Sequence, residues 1–463
     1  MSDRLTGRAD DRAVSTDRNG GMEPLVSMSD MRAYQNAMRA PQRQTDVTGV
    51  SAAPTTVDFG SPEALYGAAS PGNGNARRVR NGAESQAPQP GTDSGARSEN
   101  TPEVPGEIQP ARPVTEQDLS NQRAALTREI ARMPAAMARD ISESMRVFEN
   151  RRPALTNEQI AGVYEATQRL LEDSNRTSPL TLQQRQLLAT GIMDNAARPS
   201  DIDQGNHETC NVTTLEERLY TRNPERAAAI TAEVGLTGGF TGRNGFRATL
   251  DRASLRPDSE ATVLPSRGDG LRNYASQIFD VAVLNDFYQR ANPNVRFVQR
   301  DPRTAADPRH MTRTGEGILT SDNDQVTPEA ARRARTFPGL NLTRINRLGE
   351  NLGLEPNYVI GHVRADDARV EDGTTVVRNV QELGQALERA RATNNFPLVV
   401  GVEVDGPMFR GIRGRGAHVL SIVGYNPETQ TVQISNQWGR AQDLQNVRLQ
   451  DLHDSMFVRR QNH

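Results

Sequence analysis

The sequence predicts an α+β protein: helical patterns gather ahead of position 200, and extended apolar runs gather toward the C-terminal end. The helical observation begins near Thr115. From there Leu119, Ala125, Leu126, Ile130, Met133, Met137, Ile141 and Met145 recur at mixed steps of three and four, an amphipathic stripe that Pro134 kinks or divides. Asn157 to Leu171 continues the pattern with Ile160, Val163, Tyr164, Thr167, Leu170 and Leu171 on one face, and Leu182 to Asp194 gives a third segment. The extended observation lies at the far end. Val380 to Ala392 reads as a helix, followed by the apolar run Pro397 to Val404, then His418 to Tyr425 and Thr431 to Ser435. The last two flank Asn426, Pro427, Glu428 and Thr429, which have turn chemistry, so a hairpin is expected to place His418 and Asn436 at matching ends of adjacent strands.

Texture divides the chain into three parts. Residues 1–114 are rich in Gly, Pro, Ser, Asn and Gln without sustained periodicity and read as a disordered tail; the apolar patch Met28 to Met38 is read as unstructured chain, with a transient helix or a docking segment as the alternative. Residues 115–198 form a small helical region, an accessory lobe or a propeptide-like shield. Residues 199–463 carry the chemistry. Within them, 240–375 mixes Gly, Pro, Arg and Asp with short apolar runs such as Ile278 to Phe287 and yields no motif.

Composition narrows the function classes. A formal net charge of −3 over 463 residues gives no basic excess for nucleic acid or an anionic membrane. No run approaches the roughly 18 apolar residues of a membrane span, and Met1, Ser2, Asp3 and Arg4 lead into no hydrophobic segment. A cytoplasmic location is expected, or export without a cleavable signal as for a bacterial effector or toxin. The single cysteine leaves no intramolecular disulfide and frees the thiol for chemistry. All 55 basic residues are arginine. Codon bias explains such a lysine-free chain, as does selection against side-chain amines that ubiquitin-like systems, or the protein's own thioester, would acylate.

The chemistry-bearing residues lie in two blocks. The first runs Gln204, Gly205, Asn206, His207, Glu208, Thr209, Cys210, after which Val212, Leu215 and Leu219 have helical spacing. Cys210 is therefore expected at the first turn of a helix, with Thr209 a candidate cap. Unpaired amide N–H groups at a helix start favour a thiolate and lower a thiol pKa. Gln204, on the preceding loop, is placed to aim its side-chain amide at the reacting carbonyl and to form an oxyanion hole with the Cys210 backbone N–H. The second block runs Gly416, Ala417, His418 through Gly424, Tyr425, and after the turn Ser435, Asn436, Gln437, Trp438, Gly439. An imidazole is needed to pair with the thiolate and to protonate the leaving amine, Asn436 is suited to hold that ring, and Trp438, the only Trp, to cover the bond between them.

These pieces resemble the papain-like cysteine peptidases, including the calpain-like branch, in their order: a Gln, a Cys at a helix start, a His on a strand, then an Asn followed by a Trp-Gly pair. Gln204, Gly205 and Cys210 match the first block; His418 with Val423, Gly424 and Tyr425 the second; Asn436, Trp438 and Gly439 the third. Asn211 stands where relatives usually carry an aromatic residue, Glu208 where a Gly is common, and 208 positions separate Cys210 from His418, a gap that implies insertions. The resemblance implies a helical lobe, an antiparallel half-barrel and a cleft between them. It further implies a peptidase acting on a protein or peptide, with a ubiquitin-like or host protein as one target, through Cys210, His418, Asn436 and Gln204, supported by Trp438, Gly205 and Gly439. A transamidase or ligase, and a catalytically silent binding module of the same shape, are the alternatives.

The remaining candidates carry less. His207 is a second possible partner for the sulfur, but helix-start geometry points it away. His310 and His362 read as surface or structural. The Asp322, Asn323, Asp324 cluster lacks the other ligands of a calcium loop. One Cys with scattered His supplies no zinc spacing, so neither a metal nor a cofactor is expected.

Overall fold

Helices lead the chain and strands interleaved with helices follow in the computed structural model, which describes residues 112–172, 177–262, 270–291, 293–299, 315–320, 340, 342–363, 373–410 and 416–457. The reading of 1–114 as a tail therefore lies almost wholly outside the described residues, as do His310, Asp322–Asp324 and the Met28–Met38 patch.

The leading helices are α1 (Glu116–Ile130), α2 (Ala135–Glu149), α3 (Asn157–Leu171) and α4 (Leu182–Ala197). Pro134 occupies the cap position between the first two, which divides the stripe rather than kinking it. Three of the four helices start with a threonine capping box, Thr115 with Asp118, Thr156 with Gln159 and Thr181 with Gln184, in which each partner satisfies an otherwise orphaned N–H. Next come α5 (Cys210–Arg222), α6 (Pro224–Thr237), the short pair β1 (Gly239–Thr241) and β2 (Arg247–Thr249), α7 (Tyr274–Ala291), and the ladder of β3 (Val295–Gln299) with β4 (Glu316–Thr320). The apolar run Ile278 to Phe287 belongs to α7, most of whose residues are buried, so no amphipathic period marked it.

The C-terminal part holds α8 (Leu342–Leu352), β5 (Val359–His362), β6 (Thr374–Val377), α9 (Val380–Ala392), β7 (Leu398–Glu403), β8 (Ala417–Asn426), β9 (Thr431–Ser435), β10 (Leu444–Arg448) and α10 (Leu449–Ser455). Six strands form one sheet in the order β10-β9-β8-β7-β5-β6. Here the expected antiparallel half-barrel is corrected. β5 runs parallel to both β6 and β7, the other pairs are antiparallel, and the sheet is open and mixed. Parallel pairing arises because α9 supplies the crossover from β6 to β7, a connection that antiparallel neighbours do not need.

One hydrophobic cluster runs from Leu119 in α1 to Met456 after α10. Polar ties accompany it. Arg151, in the loop after α2, donates to the carbonyls of Ala196, Tyr220 and Thr221 at 2.9–3.0 Å, and Gln159 donates to the Arg222 carbonyl at 2.9 Å. Arg218 of α5 donates to Asn395 just before β7 and lies over the Tyr358 ring, 4.6 Å from its centroid. Helix α5 is thereby held between the leading helices and the sheet. Among the described residues, no helix is long and apolar enough to cross a membrane.

Candidate active site

Helix α5 begins at Cys210 because Val212, Leu215 and Leu219 share an inward face, and all three are fully buried. The loop before it turns at Gly205, whose φ of +65° suits a residue without a Cβ; a Cβ there would lie 2.8 Å from the Arg272 Cβ and 2.9 Å from its backbone N, and against the Glu260 carboxylate. That tight turn brings the Gln204 backbone N–H to the Gln437 carbonyl at 2.8 Å, which ties the loop ahead of Cys210 to the segment carrying Asn436 and Trp438. Helix α5 packs on β8, the strand that carries His418. The structure thus brings both sequence blocks to one place.

The expected β8–β9 hairpin forms, with Ser421 opposite Ser435. At its open end the His418 Nε2 lies 3.0 Å from Asn436 Oδ1. The Trp438 backbone N–H donates to the same oxygen at 3.2 Å, which fixes which end of the amide faces the ring. The Trp438 indole stacks on the imidazole, centroids 4.1 Å apart and planes 18° apart. The site is sealed: Cys210 is 4% exposed, His418 2%, Asn436 3% and Gln204 0%.

Burial sets the charge state. It pushes the Cys210 thiol up to about 12, an effect the Glu208 and Asp280 carboxyls reinforce and the N–H groups of Val419 and Asn211 only partly oppose. It pulls the His418 imidazole down to about 4, against the bond to Asn436. This corrects the expectation of a depressed thiol pKa, because a helix N-terminus worth at most about 2 kcal/mol loses to removal of a charge from water. The resting pair is thiol and neutral imidazole. With Asn436 Oδ1 accepting from Nε2–H, the neutral ring has its lone pair on Nδ1, the atom a base uses.

Two further expectations are corrected. Thr209 stands at the cap position of α5 without a side-chain cap bond; its hydroxyl donates instead to Asp280 Oδ2 at 2.7 Å, a buried carboxylate being the stronger acceptor. The Gln204 amide nitrogen, expected to face the reacting carbonyl, donates to the His207 carbonyl, so one of its two N–H groups is already committed. Gly439 takes a φ of +108° after Trp438 and starts the turn toward β10. His362 packs against His453, ring centroids 4.4 Å apart.

Sequence reasoning missed two sets of residues. Glu217 lies two turns after Cys210 on α5 and accepts from the Gln437 amide at 2.8 Å; burial raises its carboxyl to about 7. A carboxylate seven residues after the cysteine, on the inward face, was the available signal. The second set is a charge network under the Gln204–Cys210 loop. The His207 ring bridges Asp258 Oδ2 at 3.0 Å and Glu316 Oε1 at 2.9 Å; Arg272 donates to Asp258 at 3.0 Å and to Gln299 at 2.6 Å, and faces Asp280 at 3.5 Å. His207 does point away from the sulfur, into this network. Its acidic and arginine members come from the middle segment that carries no motif.

No family model, curated protein or solved structure matches the chain. Its chemistry rests on its own geometry. Among the described residues, no group of three or more His, Cys, Asp and Glu side chains is placed to hold a metal ion.

Proposed function

We propose that this chain is a papain-like cysteine hydrolase that cleaves peptide or isopeptide bonds, with Cys210 as nucleophile and His418 as base and then acid. The observation that carries the reading is the His418–Asn436 bond of 3.0 Å beneath the stacked Trp438, on the strand against which the Cys210 helix packs. Asn436 holds Nε2–H, so Nδ1 takes the thiol proton as sulfur attacks the carbonyl carbon. The C–N bond then breaks, the imidazolium returns its proton to the departing amine, and a thioester remains on Cys210. Water hydrolyses that thioester and regenerates the thiol. The second N–H of Gln204 and the Cys210 backbone N–H are the donors for the oxyanion.

Neutral resting groups fit this scheme, since proton transfer and attack proceed together rather than from a standing ion pair. A catalytically silent module of the same shape is the second reading, favoured by the burial of Cys210 and the raised thiol. Mass spectrometry of a peptide library separates them. The hydrolase reading expects new termini with the wild-type chain and none with Cys210→Ala; identical product sets would remove it. Capture of an added amine into product would assign a transamidase.

A further inference from the structure

We infer that His207 is a positioning residue for the Gln204 amide: its ring, held as an imidazolium between two buried carboxylates, fixes the backbone carbonyl on which that amide hangs. The inference rests on the hydrolase reading above, because only there does the aim of Gln204 matter.

His207 Nε2 faces Asp258 Oδ2 at 3.0 Å and Nδ1 faces Glu316 Oε1 at 2.9 Å, and the residue is 3% exposed. A carboxylate only accepts, so both ring nitrogens must carry a proton. Among the described residues, the charged groups facing the ring from the surrounding elements are Asp258 and Arg272 from the loop before α7, Asp280 from α7 and Glu316 from β4. Burial and Arg272 oppose the proton, the two bonded carboxylates outweigh them, and the imidazole rises to about 9.

The ring is fixed from both sides, and so is its backbone. The His207 carbonyl accepts one N–H of Gln204. The neighbouring Asn206 N–H donates to Glu260 at 3.0 Å, and Glu260 also accepts from the Arg272 N–H at 3.1 Å. Loss of the ring proton leaves one N–H for two carboxylates, so one ring nitrogen would face a carboxylate lone pair to lone pair. The ring then turns, the carbonyl shifts with it, and the second N–H of Gln204 loses its aim.

The test combines a double-mutant cycle with a titration in the full chain. Gln204→Ala removes the donor and lowers kcat by about 100-fold. His207→Gln, which keeps a donor but no second nitrogen, is expected to lower kcat by about 100-fold alone, to leave KM little changed, and to add less than about 2-fold in the Gln204→Ala background. The alkaline limb of the wild-type kcat profile should vanish in His207→Gln. In parallel, the side-chain amide signals of Gln204 in the inactive Cys210→Ala protein should move with the His207 titration. Equal factors in both backgrounds, or Gln204 signals indifferent to that titration, would overturn the inference and leave the hydrolase reading standing. Absence of any Cys210-dependent turnover, with the coupled titration intact, would remove the hydrolase reading and the catalytic meaning of the coupling with it.

Discussion

The Trp438 indole lies nearly parallel to the His418 imidazole, 4.1 Å away, and covers the bond from that ring to Asn436. The stack packs a large apolar surface against the ring whose tautomer the proposed hydrolysis depends on, and it keeps water off the bond. Trp438→Ala is expected to cost about 3–5 kcal/mol in urea unfolding. It should also raise the His418 imidazole from about 4 toward its ordinary 6.5, because water then reaches the ring. Histidine NMR titration checks the second effect. An unmoved midpoint would mean that the indole does not desolvate the ring.

Asn436 selects the tautomer. Asn436→Ala removes the acceptor of the Nε2–H, leaving a buried donor unpaired at about 1–3 kcal/mol. Turnover should fall by about 10- to 100-fold as the ring loses its preference for the Nδ1 lone pair. Asn436→Asp brings a carboxylate to the same nitrogen, which raises the imidazole and shifts the acidic limb of the kcat profile toward neutral pH. A profile identical to wild type would show that residue 436 does not govern His418.

Glu217 gives a stability prediction with a definite sign. Its carboxyl rises from 4.5 to about 7, so its contribution is present below pH 4.5 and is lost as pH rises through about 7. Glu217→Gln keeps an acceptor for the Gln437 amide and cannot ionise. The variant should match wild type in urea unfolding at pH 5 and exceed it at pH 8.5, by up to about 3 kcal/mol. Equal stability at both pH values would place Glu217 in contact with water.

His207 and His418 bound the stability profile from opposite sides. His207 is raised from 6.5 to about 9, so its contribution is complete below pH 6.5 and is lost as pH climbs through about 9. His418 is lowered to about 4, so its contribution is present above pH 6.5 and disappears as pH falls through about 4. The Asp258 carboxyl, buried yet held low by His207 and Arg272, adds to the acid side. Unfolding free energy should therefore fall on the acid flank through His418 and Asp258 and on the alkaline flank through Glu217 and His207, and His207→Gln should remove only the part of the alkaline decline that falls near pH 9.

Legibility in the sequence followed the range of the interactions. The helix Asn157–Leu171, the helix beginning at Cys210 and the hairpin carrying His418 and Asn436 were readable because periodicity and turn chemistry are local. The His207 network was not readable. Its partners lie 51 to 109 positions away in a segment rich in Asp and Arg everywhere, and nothing local separates Asp258 and Arg272 from their exposed neighbours. The parallel β5 pairings escaped for the same reason. The thiol was misjudged because a helix start is visible in sequence while the burial that overrides it is a tertiary property.

The claim that His418 activates Cys210 is tested most directly by the pH dependence of iodoacetamide alkylation, followed at Cys210, the single cysteine, by intact mass. The wild-type rate should rise as pH passes about 4, where the imidazole becomes available as a base, and then hold a plateau through mildly acidic and neutral pH. His418→Ala should be unreactive across that plateau, with alkylation appearing only as the pH approaches the thiol's own ionisation near 12. Superimposable profiles for the two proteins would show that His418 does not activate Cys210.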